Sequence, residues 1–197
     1  MRILTAVCLL CFAPNVSAQR SDVAALQSRC LPTVPLNTLN AIILVESGGN
    51  PNAMQIDFPR ALLKRWHLQE GTLRLERQPA TEREALEWLE YFERRNISVD
   101  LGLMQVSTAE AHRRGLPPES LLDPCFNLRA GWQILDSAFQ LETKTYGPGQ
   151  EALQHAISRY NTGDTQRGID NGYLGRVIAA LRQSPATASP VRGENRR

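Results

Sequence analysis

A succession of apolar stripes at helical spacing, divided by short joints, is the feature that most constrains the fold of this 197-residue chain. Thr81-Glu82-Arg83-Glu84 and Ser107-Thr108-Ala109-Glu110 are capping boxes, Asp123-Pro124 is typical of a helix start, and Gly147-Pro148-Gly149 breaks helices. The stripes comprise Leu86, Leu89, Tyr91, Phe92, Leu128, Trp132, Leu135, Phe139, Ala152, Leu153, Ala156, Ile157, Tyr160, Tyr173, Val177, Ile178 and Leu181. We predict a mainly α-helical single domain over residues 19–182, whose stripes form the core and carry no chemistry.

Two segments lack this periodicity. Residues 55–80 mix short apolar pieces with Gly71 and Pro79, and we predict an insertion there that contains a small β-hairpin. From Gln183 to the end, Ser, Pro, Ala, Thr and Arg dominate, and such a composition cannot bury a core. Residues 183–197 are therefore predicted to be a disordered tail.

The N-terminus has the pattern of a secretory signal. Arg2 precedes an apolar run from Ile3 to Ala13, and small residues occur in Val16-Ser17-Ala18. The run is too short to span a bilayer, and neither Cys8 nor Cys11 follows the small residues of a lipoprotein signal. We predict a cleaved signal peptide over residues 1–18, export to the periplasm and no membrane anchor.

Removal of that signal leaves two cysteines, Cys30 and Cys125. An even number in an oxidising compartment predicts one disulfide. Metal binding is the competing interpretation, but the sequence contains no C-x-x-C pair, and His67, His112 and His155 occur singly. We predict no metal and no cofactor.

The charge balance argues against nucleic acid as a partner. Residues 19–181 contain 17 Lys and Arg against 19 Asp and Glu, and the positive surplus lies in Arg2 and the C-terminal segment. A nearly neutral domain lacks the basic surface that binding to phosphates requires.

Glu46 is the strongest candidate for chemistry. It ends the apolar stretch 39–45, and Ser47-Gly48-Gly49-Asn50-Pro51 follows with residues that terminate helices. The macrodipole disfavours a negative charge at a helix C-terminus, and partial burial acts in the same direction, so both raise the pKa of such a carboxyl. A carboxyl that stays protonated near neutral pH can act as a general acid. The alternative is an ordinary exposed Glu before a turn.

Three short motifs occur in order along the chain: Glu46-Ser47-Gly48-Gly49-Asn50-Pro51, Asp100-Leu101-Gly102-Leu103-Met104-Gln105-Val106-Ser107, and Ile157-Ser158-Arg159-Tyr160-Asn161-Thr162-Gly163. Together they resemble the lysozyme-like lytic transglycosylases, whose signature is Glu-Ser, then Gly-Leu-Met-Gln, then Tyr-Asn before Gly. The resemblance covers roughly residues 31–181. It implies a lysozyme-like fold of the goose-type class.

Further features resemble the branch that accompanies type IV secretion and conjugation systems. These are Cys30 ahead of the Glu46 helix, the long insertion, and the phrases Ser98-Val99-Asp100-Leu101-Gly102 and Asp123-Pro124-Cys125-Phe126-Asn127-Leu128. The branch implies a monomer that opens peptidoglycan locally for such an apparatus. Arg159 departs from the family's usual small or apolar residue.

By resemblance, Glu46 is the sole catalytic acid, cleaving between N-acetylmuramic acid and N-acetylglucosamine to give a 1,6-anhydro product. Gly102 would permit close approach of the sugar, Met104 would offer an apolar surface, and Tyr160 would lie beside Glu46. The full set of substrate-binding positions implied is Ser47, Gly102, Leu103, Met104, Gln105, Tyr160 and Asn161.

Two other functions stay open. A lysozyme-type hydrolase would use Asp100 as a second carboxylate, since glycosidases that use water employ two; the competing interpretation of Asp100 is a turn residue bonded to local backbone. A non-catalytic peptidoglycan-binding assembly factor would keep the groove but need no carboxyl at Glu46.

Overall fold

The computed structural model describes residues 16–31, 36–57, 73–75 and 77–183. Within these residues the chain forms eight α-helices, one 3₁₀ helix and four short strands. In chain order they are α1 (Val16–Cys30), α2 (Leu36–Glu46), β1 (Met54–Asp57), β2 (Leu73–Arg74), α3 (Glu82–Glu93), β3 (Ser98–Leu101), β4 (Val106–Ser107), α4 (Thr108–Arg113), the 3₁₀ helix (Pro118–Leu122), α5 (Pro124–Tyr146), α6 (Gln150–Thr162), α7 (Arg167–Asp170) and α8 (Tyr173–Gln183). The mainly helical prediction is confirmed.

The helices enclose a core in which α5 packs along α6 and α2 packs along α8. Fully buried side chains of α2 form its centre, and Val177 of α8 and Leu128 of α5 belong to the same buried cluster. The α2 residues concerned are Leu39, Ala41, Ile42 and Ile43. Burying aliphatic side chains of this size stabilises the fold by about 1.5–3 kcal/mol each, so α2 is fixed firmly up to its last turn.

The predicted helix starts are confirmed. The side chain of Thr81 accepts a hydrogen bond from the Glu84 N–H (3.2 Å) to begin α3, and that of Asp123 accepts one from the Phe126 N–H (2.6 Å) to begin α5. The stripe predicted for α3 was partly wrong, because Leu86 is 36% exposed and Tyr91 is 40% exposed. The buried face of α3 consists of Ala85, Leu89 and Phe92.

The four strands form one antiparallel sheet in the order β2-β1-β3-β4. In β1 and β3 the buried residues alternate with more exposed ones, so that Val99 and Leu101 face the core. Gln55 pairs with Asp100, and Asp100 pairs in turn with Ser107 on β4. Neighbouring residues in adjacent strands share a face, so these polar side chains line the other face of the sheet.

The pairing of β1 with β2 fits the hairpin predicted for the insertion, although residues 58–72 lie outside the described part. Strands β3 and β4 were not predicted. The predicted signal peptide lies outside the described residues except for 16–18, which begin α1, and the predicted tail does so except for Gln183, which ends α8. No helix among the described residues is long and apolar enough to cross a membrane.

A disulfide joins Cys30, the last residue of α1, to Cys125 in the first turn of α5, as predicted. The two Cα atoms are 5.3 Å apart, within the usual range for a disulfide. The bond closes a segment of 95 residues that contains α2, the sheet and the loop after β3.

Candidate active site

Glu46 is the last residue of α2, as the sequence predicts. The chain turns directly afterwards, with Gly48 at φ +64° and Gly49 at φ +86°, conformations that non-glycine residues rarely adopt. The Glu46 side chain is half-buried. The Glu46 carboxyl therefore projects from a rigid helix end into a partly desolvated place.

Tyr173 is the partner of Glu46 that the sequence analysis missed. Its hydroxyl donates a hydrogen bond to Oε1 of Glu46, across 127 positions of sequence. Tyr173 is the first residue of α8 and is 1% exposed, and its place in an apolar stripe predicts only a role in the core. Its phenol ring does belong there, but a buried tyrosine hydroxyl needs a hydrogen-bonding partner. Burial and the negative charge of Glu46 raise the pKa of Tyr173, so it stays protonated and donates.

Tyr160 lies near Glu46, and its hydroxyl binds the backbone of the second motif. Its hydroxyl donates to the backbone oxygen of Met104 (2.5 Å). Burial, followed by the negative charges of Glu46 and Asp100, raises the pKa of Tyr160. Tyr160 therefore joins the third motif to the second, and the direct contact with the acid comes from Tyr173.

The Gly102–Gln105 loop of the second motif is built around Asn127, which is fully buried. Asn127 Oδ1 accepts from the Met104 N–H (2.8 Å), while Nδ2 donates to the backbone oxygen of Leu101 (2.7 Å). Gly102 has φ +76°, and a Cβ atom there would lie 2.5 Å from Asn127 Nδ2. Asn127 thus gives a structural reason for a glycine at this position, and the close approach of a sugar stays a prediction.

The side chains of Leu103 and Met104 are also buried, at 1% and 0% exposure. Met104 packs against α5 at Gly131, where an added Cβ would lie 2.5 Å from the Met104 Cβ. The apolar surface expected from the Met104 side chain is therefore part of the core. Substrate binding by Leu103 and Met104 stays a prediction.

Ser47 and Gln105 connect the first two motifs. Ser47 Oγ lies within hydrogen-bonding distance of the Leu103 oxygen (2.9 Å) and of the Ile43 oxygen (3.1 Å). Gln105, at φ +48°, donates from Nε2 to the backbone oxygens of Ala53 (3.0 Å) and Gly102 (2.8 Å). These bonds fix the loop beside Glu46.

Asn161 and Arg159 of the third motif make further polar contacts. Asn161 is exposed, and its Oδ1 accepts from Asn171 (3.2 Å), whose own Oδ1 accepts from the backbone N–H of Tyr173 (2.9 Å). Arg159 donates from Nε to the buried carboxylate of Glu142 (2.6 Å). Asn161 therefore holds the turn that leads to Tyr173, and Arg159 serves the packing of α6 on α5.

Asp100 lies in strand β3 rather than in a turn, so the expected turn role was wrong. Burial, then the charges of Asp57 and Glu46, raise the pKa of Asp100 to about 7, and a hydrogen bond with Ser107 acts in the opposite direction. The site thus contains two carboxyls with different surroundings: Glu46 at a helix end and Asp100 on the polar face of the sheet.

The raised pKa of Asp100 predicts a pH-dependent change in stability for Asp100→Asn. In the unfolded chain Asp100 ionises near 3.8 and in the folded protein near 7, so its ionisation destabilises the fold increasingly as pH rises between these values. Asn removes this cost. We expect a gain of roughly 1–2 kcal/mol, or about 2–8 °C in Tm, at pH 8, and almost none at pH 4. Thermal unfolding at both pH values measures this, and an equal gain at both would contradict it.

A cavity of about 220 Å³ opens beside Glu46. Its polar lining comes from Glu46, Ser47, Gln55, Gln78 and Gln105, and its remaining walls come from backbone and apolar residues of the same segments. The three glutamines make this lining polar without adding charge, which suits a ligand rich in hydroxyl and acetamido groups. The described residues include no group of three or more His, Cys, Asp or Glu side chains that could bind a metal ion.

A mainly helical fold with a carboxyl at a helix end, beside a carboxamide-lined cavity, suits a glycan-cleaving enzyme, and the comparison with protein families gives its class. The family model described as the Transglycosylase SLT domain matches residues 25–174. The chain therefore belongs to the transglycosylase SLT-domain family, and it is a lytic transglycosylase.

Several curated proteins are similar to this chain. Protein virB1 of Rhizobium radiobacter is 30% identical over 197 residues, which cover all of this chain and 75% of the relative. Protein virB1 of Agrobacterium fabrum (strain C58) is 33% identical over 82% of this chain and 60% of the relative. The type IV secretion system protein virB1 of Brucella abortus biovar 1 is 30% identical over 84% and 65%, respectively. No solved structure matches the chain.

Proposed function

We propose that Glu46 is the single acid–base residue with which this enzyme cleaves the β-1,4 bond between N-acetylmuramic acid and N-acetylglucosamine in peptidoglycan. One observation carries the proposal: the Glu46 carboxyl lines the cavity and accepts a hydrogen bond from the Tyr173 hydroxyl. This hydrogen bond to Oε1 holds the carboxyl in one orientation at the cavity.

The reaction uses the substrate's own hydroxyl as nucleophile. Glu46 donates its proton to the glycosidic oxygen as the bond to the anomeric carbon breaks. The resulting carboxylate then takes the proton of the muramoyl 6-hydroxyl, whose oxygen bonds to the anomeric carbon and forms the 1,6-anhydro ring. Glu46 ends protonated and no water is consumed. An intramolecular nucleophile is already at high effective concentration, so a second carboxylate is not needed.

The position of Asp100 favours this reaction over hydrolysis. A hydrolase that used Asp100 as a second carboxylate would need it beside the glycosidic bond, whereas Asp100 is not among the described residues that line the cavity with Glu46. Asp100 in our proposal is a residue of the sheet and takes no part in the reaction. The non-catalytic alternative is disfavoured by a family match that spans all three motifs.

The cellular role follows from the relatives. Proteins named virB1, one of them as a type IV secretion system protein, are similar to this chain along most of its length. We infer that it is exported through the predicted signal peptide, acts as a monomer in the periplasm, and opens the cell wall locally for a secretion or conjugation apparatus.

Analysis of reaction products tests the proposal. Purified peptidoglycan treated with the enzyme is expected to release muropeptides with 1,6-anhydro ends, which mass spectrometry separates from reducing ends by the mass of one water. The Asp100→Asn variant is expected to give the same products at a similar rate. Reducing ends as the main product, together with an inactive but folded Asp100→Asn variant, would establish the lysozyme alternative.

A further inference from the structure

Residues 77–80 form a strap that joins the first turn of α3 to Met54, which lines the cavity beside Glu46. Glu84 of α3 holds one side, because its carboxylate accepts from the guanidinium of Arg77 and from the N–H of Ala80 (2.8 Å). These contacts keep the pKa of Glu84 below its ordinary value. Pro79 within the strap is buried. The strap is therefore attached at its α3 end.

Gln78 attaches the strap to the cleft. Its Oε1 accepts from the N–H of Met54 (2.7 Å), and its Nε2 donates to the oxygen of the same residue (3.1 Å). One carboxamide thus pairs with both backbone groups of Met54, as a neighbouring strand would. Met54 begins β1, and β2 pairs with β1 at the next two residues, Gln55 and Ile56. Gln78 therefore adds one more pair of hydrogen bonds along β1.

A second glutamine, Gln105, binds the backbone of Ala53, the residue before Met54. The oxygen of Ala53 accepts from Gln105 Nε2 (3.0 Å) and from the N–H of Gly102 (2.8 Å). Gln78 and Gln105 both line the cavity beside Glu46. The segment of Ala53 and Met54 is consequently fixed by the strap and by the second motif, within the cavity that contains the acid.

We propose that Gln78 is a positioning residue for the glycan and that the strap is the wall of the substrate cleft facing Glu46. This inference rests on the proposed function of the same cavity. Both ends of the Gln78 carboxamide are used by Met54, so Gln78 acts through the backbone. Its loss frees the strap and leaves two partly buried backbone groups without their partner, which weakens glycan binding but leaves Glu46 and Tyr173 in place.

The test compares Gln78→Ala and Gln78→Met. Methionine keeps the length of the side chain and removes both hydrogen bonds, so the two variants are expected to agree. In the active enzyme we expect KM for soluble peptidoglycan fragments to rise about tenfold, with kcat within about twofold and an unchanged pH profile of kcat. In a Glu46→Gln background, calorimetry with the same fragments is expected to show the same tenfold rise in Kd.

Gly147→Ala is the matched control for lost stability. Gly147 ends α5 at φ +72° with no other atom near its Cβ position, so alanine strains the backbone outside the residues that line the cavity. It is expected to lower Tm without changing KM. The inference is overturned if either Gln78 variant keeps wild-type KM and Kd, or if Gly147→Ala raises KM as much as they do. Failure of the proposed function would differ, because Glu46→Gln would then retain turnover.

Discussion

Replacing Glu46 with Gln is expected to abolish cleavage of peptidoglycan while the fold and glycan binding remain. The amide keeps the shape of the side chain, and its oxygen still accepts from Tyr173, so only the transferable proton is lost. General acid–base catalysis typically contributes 10²–10⁴-fold, and a residue that serves as both acid and base should reach at least the top of that range. Turnover of purified peptidoglycan, measured by release of soluble muropeptides, gives the rate.

Two further variants make this result specific. Glu87→Gln makes the same chemical change on the exposed face of α3 and is expected to keep full activity. Tyr173→Phe keeps the Glu46 carboxyl but removes the donor to Oε1, so its loss should be intermediate. More than a tenth of wild-type turnover in Glu46→Gln would show that another group supplies the proton and would remove the basis of the mechanism.

The second large effect is expected on stability, in the double variant Cys30→Ser, Cys125→Ser. Removal of a native disulfide typically costs about 2–5 kcal/mol. Here the bond fixes the end of α1 to the first turn of α5, the turn that also presents Asn127 to the Gly102–Gln105 loop. We expect Tm to fall by roughly 4–20 °C for a domain of this size.

Activity separates the structural role of the bridge from a chemical one. The folded double variant is expected to cleave peptidoglycan at the wild-type rate at temperatures well below its Tm, because neither cysteine lines the cavity beside Glu46. Thiol titration of the protein purified from the periplasm supplies the control, with no free thiol expected in the wild type. Two free thiols there, or an unchanged Tm in the double variant, would contradict the prediction.

Local sequence determined the helices and the position of Glu46. A helix start depends on a few adjacent residues, and Thr81 and Asp123 occupy the caps that their side chains predict. Glu46 ends α2 because the glycines that follow allow the chain to turn. Signals of this kind act within one turn of helix, so they can be recognised without knowing what the helix packs against.

Strands β3 and β4 were not predicted, because they depend on residues far apart in the sequence. Strand β4 has two residues and β3 has four, which is too few for an alternating pattern to stand out from a loop. Their formation depends on the pairing of β3 with β1, more than 40 positions earlier in the chain. That pairing places Asp100 on the face of a sheet, where burial, and then the charges of Asp57 and Glu46, raise its pKa.

The sequence by itself determined that the chain is helical, that its catalytic candidate is Glu46 and that its three motifs belong together. Only the tertiary structure decided which side chain serves which neighbour: Tyr173 contacts Glu46, while Tyr160 supports Met104 and Asn127 holds the second motif. These partners are separated by 127, 56 and 23 positions. A hydrogen bond depends on distances of about 3 Å and on direction, and for residues so far apart in sequence the packing of whole helices sets both.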